Sequence, residues 1–159
     1  MERQQKDLCG LRSAKIADGK LTLVLNNSLA AVEDGRREIL RFVGPLDAMV
    51  LNRLETIFEE LVSNTIRHGF AKQSSQSIRV LIERKPDAVQ LTFEDDGVAF
   101  SPLAAKPPLR ARTIETAQIG GLGIPLIVKL SSRLEYQQLQ PADSGGFRPR
   151  NRTIVSVAI

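Results

Sequence analysis

Residues 47–68 carry the strongest helical period in the chain, and their place directly ahead of two alternating runs restricts the fold more than any other feature. At about 100° per residue, Val50, Leu54, Ile57, Phe58, Leu61 and Thr65 share one arc, an apolar stripe that needs a partner layer. After the polar tract 71–77, residues 77–83 and 88–93 alternate apolar and polar side chains and are joined by Arg84-Lys85-Pro86-Asp87. That pattern predicts an antiparallel hairpin. A helix feeding a hairpin is not a βαβ unit. The order favours an α+β two-layer sandwich over a parallel doubly wound sheet.

The remaining segments fit this frame. Residues 21–25 form a short β-leaning run, broken by Asn26-Asn27-Ser28. Ser28 is the expected N-cap of a helix through about Phe42, with Glu33 and Asp34 early and Arg36, Arg37 and Arg41 later. Gly44-Pro45 ends that helix, Asp47 is positioned to cap the next, and Gly69 to close it. Residues 101–119 lack a clean period and are interrupted by Pro102, Pro107 and Pro108; a loop of this length in a compact domain implies a functional lid. A helix from Ile124 to about Ser132 comes next, then strands over 133–139 and 153–159 separated by a connector at 141–150. The expected order is β, α, α, β, β, lid, α, β, β, with a polar N-terminal segment over 1–19 and a single domain over 20–159.

Composition narrows the function classes. The 159 residues carry a formal charge of +4, which permits an anionic partner, but there is no Trp and aromatics make up only 4%. Stacking platforms for nucleic acid are therefore scarce, and no direct nucleic-acid contact is expected. The single cysteine, Cys9, cannot form an intramolecular disulfide, and no Cys/His cluster has zinc spacing. The first ten residues lack the apolar core of a signal peptide, and the longest apolar runs fall far short of the ~18 residues that a membrane span needs. Without a secretion signal, the glycosylation patterns Asn26-Asn27-Ser28 and Asn151-Arg152-Thr153 read as chance. A cytoplasmic protein in a reducing compartment, with no membrane partner, is expected.

Three short elements could carry chemistry. Glu60, Asn64 and His68 stand at i, i+4 and i+8, one row at the border of the apolar arc, with Glu59 across the helix. Such a row can line a cleft or be a solvated edge, and spacing alone does not decide. Asp95-Asp96-Gly97 comes directly after a strand, where a carboxylate and a glycine can hold a polar ligand edge or simply make a turn. Gly120-Gly121-Leu122-Gly123 opens a helix, so converging N–H groups could meet an anion there; a flexible hinge is the alternative. This run is not a Walker A loop, which needs Gly-Lys-Ser/Thr, nor the dinucleotide fingerprint, whose third glycine is replaced by Leu126. Lys106, Arg110 and Arg112 in the lid face either phosphates or solvent.

In this order the three elements resemble the sequence boxes of the Bergerat-fold ATPases, the superfamily of gyrase-type, chaperone-type, mismatch-repair and histidine-kinase ATP-binding domains. The fuller form, with Glu59-Glu60-Leu61-Val62, Asn64 and His68-Gly69, then Asp95, Gly97, Phe100 and Pro102-Leu103, then Gly120 to Ile124, resembles the small anti-sigma-factor serine/threonine kinases. Leu134-Glu135-Tyr136 before Asn151-Arg152-Thr153 extends the likeness over roughly 20–159. The resemblance implies a mixed, mostly antiparallel sheet with helices on one face, and ATP with Mg²⁺ as cofactors. It implies that Glu60 is the general base and that Asn64 coordinates Mg²⁺. Asp95 would accept the adenine amino hydrogen, Gly97 would let the base lie close to the backbone, and Thr153 would support the adenine end. Gly120, Gly121, Leu122 and Gly123 would cradle the phosphates. His68 matches a family position without a clear duty and is taken as structural. Ala99 stands where many relatives have Gly, and Ser101 where Asp is frequent.

The activity so implied is ATP-dependent phosphorylation of a serine or threonine on a small STAS-type antagonist, together with sequestration of a sigma factor by a homodimer. The alternatives are a detached histidine-kinase-like ATPase domain and a nucleotide-dependent binding module without phosphotransfer. Against the first, the only histidine is His68.

Overall fold

A computed structural model describes residues 10–69, 77–98, 123–140 and 149–159. The elements are β1 (Leu11–Ala17), β2 (Lys20–Asn26), α1 (Ala30–Val43), α2 (Ala48–Asn64), a π turn (Thr65–Gly69), β3 (Ser77–Arg84), β4 (Ala88–Asp95), α3 (Gly123–Leu130), β5 (Arg133–Gln138) and β6 (Asn151–Ala158). The six strands form one sheet in the order β1-β2-β3-β4-β6-β5, and each of the five pairings is antiparallel. The α+β class expected from the sequence is the one that forms.

Register explains the core. Leu23 pairs with Val80, Val80 with Phe93, Leu91 with Val155 and Val89 with Val157, so the buried apolar residues of these runs fall on one face. These side chains are buried against Ile39 and Val43 of α1, Leu54, Ile57, Phe58 and Leu61 of α2, and Ile127 of α3. Phe58 is fully buried and lies tilted on Phe93, ring centroids 6.1 Å apart. On the other face the half-buried Glu94 of β4 accepts from Arg152 of β6 at 2.7 Å and lies 3.6 Å from Arg79 of β3. Among the described residues no helix is long and apolar enough to cross a membrane.

Several boundaries differ from expectation, each for a local reason. Residues 11–17 were expected to lie in a polar segment ahead of the domain, yet they pair with β2 along its length. Only Leu11 of this edge strand is buried, so no alternation marks it in the sequence. Ser28 does not cap α1. The cap position is Leu29, with no side-chain cap bond, and the first turn closes through backbone bonds from Ala31 N–H to the Ser28 carbonyl and from Val32 N–H to the Leu29 carbonyl. Asp47 does cap α2, accepting from Met49 N–H at 2.8 Å. Gly44, with φ of 68°, ends α1. The α-helical part of α2 stops at Asn64, and the chain widens into the π turn before Gly69. The lid at 101–119 and residues 141–148 of the connector lie outside the described residues.

Candidate functional site

The C-terminal end of α2 brings the first predicted row to the start of α3. Glu60 and Asn64 are half-buried and one turn apart, and Glu59 is exposed. Gly123 opens α3 directly against them. A Cβ placed on Gly123 would stand 2.3 Å from Glu60 Oε2 and 3.3 Å from Asn64 Nδ2. The third sequence box thus closes on the first, and the absence of a side chain at 123 is what lets the Glu60 carboxylate sit over the helix start. His68 lies on the π turn with its side chain exposed, outside the Glu60–Asn64–Gly123 cluster.

The π turn does a second job. Thr65 Oγ1 donates to the Leu61 carbonyl at 2.9 Å, and the Thr65 N–H points at the carbonyls of Leu61 and Val62. Five residues on one wide turn then carry the Gly69 carbonyl to the segment after β4, where it accepts from Val98 N–H at 2.7 Å. π turns of this kind recur at functional sites because they re-aim a helix end without breaking it. Gly97 is buried beneath that contact, and a Cβ there would fall 2.1 Å from the Gly69 oxygen and 2.8 Å from Asp95 Oδ1. The family resemblance implies a role for Gly97 beside a bound base; the structure adds a requirement for it inside the protein itself.

Asp95 ends β4 at the far side of this contact. Its Oδ1 accepts twice, from Gly97 N–H at 2.9 Å and from Asn151 Nδ2 at 2.9 Å. Oδ2 takes no hydrogen bond from the described residues. Burial raises the Asp95 carboxyl above its ordinary value, the bonds from Asn151 and Gly97 pull it back, and the neighbouring Asp96 adds to the rise. A half-buried carboxylate with one oxygen committed and one available is an acceptor for a polar N–H donor. Thr153 is buried on β6 in register with Phe93 and Tyr136.

Of the predicted site residues, Glu60, Asn64 and Gly123 form one cluster, and Asp95 with Gly97 forms a second, joined to the first through the π turn. Gly120, Gly121 and Leu122 lie outside the described residues, as do Lys106, Arg110, Arg112, Ala99 and Ser101. Sequence reasoning passed over two participants. Asn151, 4% exposed, is the side chain that reaches Asp95 from β6, and Gly69 supplies a carbonyl where only a helix stop was expected. An asparagine at the start of a strand that runs on into Ile154, Val155 and Val157 is the signal that could have pointed to the first.

The family model described as "Histidine kinase-like ATPase domain" matches residues 25–146. The chain is 30% identical over 80 residues to serine/threonine-protein kinase BtrW of Bordetella bronchiseptica, a match spanning 50% of this chain and 56% of that protein. It is 27% identical over 103 residues to the anti-sigma F factor of Shouchella clausii, spanning 63% of this chain and 70% of that protein.

Proposed function

Because the chain belongs to the histidine kinase-like ATPase domain family, we propose that it is an ATP-dependent serine/threonine protein kinase of the anti-sigma-factor type. It phosphorylates a STAS-type antagonist and sequesters a sigma factor, acting in the cytoplasm as a homodimer. The observation that carries the reading is the placement of Glu60 and Asn64 against Gly123, with the available oxygen of Asp95 on the segment that the π turn joins to α2. The names of the two relatives, a kinase and an anti-sigma factor, support the same direction.

Each residue has a distinct role in this scheme. Asp95 Oδ2 accepts from the amino group of adenine, a charge-assisted bond that selects a donor-bearing base edge. Gly123 opens α3, where phosphate oxygens are favoured, and its backbone N–H, with those of Gly120, Gly121 and Leu122 before it in sequence, would cradle the phosphates. Thr153 supports the adenine end from β6. Glu60 takes the proton of a substrate hydroxyl as its oxygen bonds to the γ-phosphorus and the bond to the leaving ADP breaks.

The donor set fits Mg²⁺. Among the described residues no three His, Cys, Asp or Glu side chains converge; the residue that would hold the ion is Asn64, through its amide oxygen. Magnesium commonly takes one or two protein ligands and completes its shell with water and substrate phosphates. When bound it would neutralise charge developing on the phosphates, which is much of what phosphoryl transfer requires.

The test is transfer of labelled γ-phosphate from Mg²⁺-ATP to a STAS-type acceptor protein. Acid-stable label on a serine or threonine of the acceptor is the expected result. Label on histidine would point to a histidine-kinase-like domain, and tight ATP-dependent binding without label to a sequestration module.

A further inference from the structure

We propose that Asn151 is the positioning residue for Asp95, and that it thereby sets the preference for a purine that carries an exocyclic amino group over one that lacks it. The inference rests on the reading of Asp95 as the base-recognition residue.

Asn151 is the first residue of β6 and stands opposite Asp95 in the β4–β6 register. It is buried, and every polar atom of its side chain is engaged. Nδ2 lies 2.9 Å from Asp95 Oδ1, 3.1 Å from the Val98 carbonyl and 3.4 Å from the Gly97 carbonyl. Two amide protons cannot serve three acceptors equally, so the two shorter contacts are the working bonds. On the other side, Asn151 Oδ1 accepts from the Tyr136 hydroxyl at 2.7 Å.

This arrangement determines which way the amide faces. Turned over, it would present its oxygen to a carboxylate and two carbonyls, and its NH₂ to a hydroxyl that now donates. Tyr136 of β5 therefore holds Asn151, and Asn151 holds Asp95. The terminal torsion of an aspartate is intrinsically broad, so a carboxylate held only by the Gly97 N–H could swing. With two donors on Oδ1 it cannot, and Oδ2 is left aimed away from the protein's own donors. The same bond also opposes the rise that burial imposes on the Asp95 carboxyl. Thr153, two residues along, pairs instead with Phe93.

The experiment compares the affinity of the full chain for Mg²⁺-ATP and for the Mg²⁺ complex of purine riboside triphosphate, which lacks only the exocyclic amino group. Wild type, Asn151→Ala and Tyr136→Phe are titrated over a range of pH, with circular dichroism as a check on folding. Wild type should prefer ATP by about tenfold or more, the ratio expected for one bond to a charged acceptor. In Asn151→Ala most of that preference should vanish while the analogue binds within about threefold of wild type, and ATP binding should fail at a higher pH on acidification. Tyr136→Phe, which keeps Asn151 and the ring, should lose part of the preference and covers the case in which Asn151→Ala does not fold. An ATP preference untouched by both changes, or equal weakening of both nucleotides, would overturn the positioning role. A wild-type chain that binds both nucleotides equally, or neither, would overturn the reading of Asp95 itself.

Discussion

Adding a single methyl group at Gly123 should separate folding from phosphotransfer. The Cβ of Gly123→Ala would stand 2.3 Å from Glu60 Oε2 and 3.2 Å from its Cδ. A comfortable non-bonded separation is about 3.5 Å, so the carboxylate must retreat by roughly 1 Å. Nothing in the backbone resists the substitution: Gly123 is not among the residues with positive φ, so alanine takes its backbone conformation without strain. Asn64 Nδ2, at 3.3 Å, needs to give only slightly. The clash therefore falls on the end of a flexible side chain, and stability by urea unfolding should stay within about 1 kcal/mol of wild type. ATP affinity should change only a few-fold, because the backbone N–H at 123 is retained. A general base displaced by about 1 Å costs on the order of 10²-fold in rate, so transfer to a STAS-type acceptor at saturating Mg²⁺-ATP should fall by that factor. Full transfer activity in a folded Gly123→Ala protein would refute the placement of Glu60 as the base.

Glu60→Gln should leave ATP affinity near wild type and cut phosphotransfer by about 10²–10⁴-fold, read by the same labelling assay; equal losses in both would make Glu60 a structural or metal-organising residue. Asn64→Ala should reduce the thermal stabilisation by ATP with Mg²⁺ to that seen with ATP and a chelator, and a variant that still responds to Mg²⁺ would remove Asn64 as its ligand. For Asp95 the sign of the pH effect comes from its raised value. The folded state keeps the proton where the unfolded state has lost it, so this residue's contribution to stability falls as pH rises from about 4 through the folded value and is level above it. Asp95→Asn keeps the Oδ1 acceptor, removes that slope and should melt no lower than wild type at neutral pH. It should nevertheless lose about 10–10²-fold in ATP affinity, since a donor now meets the adenine amino group; a lower melting temperature with unchanged affinity would contradict the base-recognition role.

Periodic and local features were legible because their causes are local. The alternation over 77–83 and 88–93 places Val80, Ile82, Leu91 and Phe93 in the core, and the helical arc from Leu54 to Leu61 does the same for α2. The Asp47 cap and the Gly44 stop need only neighbouring backbone. The three boxes were readable for the same reason, since each is a short run of residue types. Tertiary structure alone decided how the boxes meet. Edge strand β1 buries one side chain, so it leaves no period, and it exists because β2 offers it a ladder. The π turn arises where α2 must deliver the Gly69 carbonyl to Val98, a residue that lies beyond the β3–β4 hairpin in sequence. Val62 and Ser63 lie outside the predicted arc, yet they are buried in the assembled protein. The Asp95–Asn151–Tyr136 chain joins residues 56 and 15 positions apart through β4, β6 and β5. Sequence patterns report what each segment buries; which polar groups then face one another is set by strand order and register, and those are settled only when the sheet assembles.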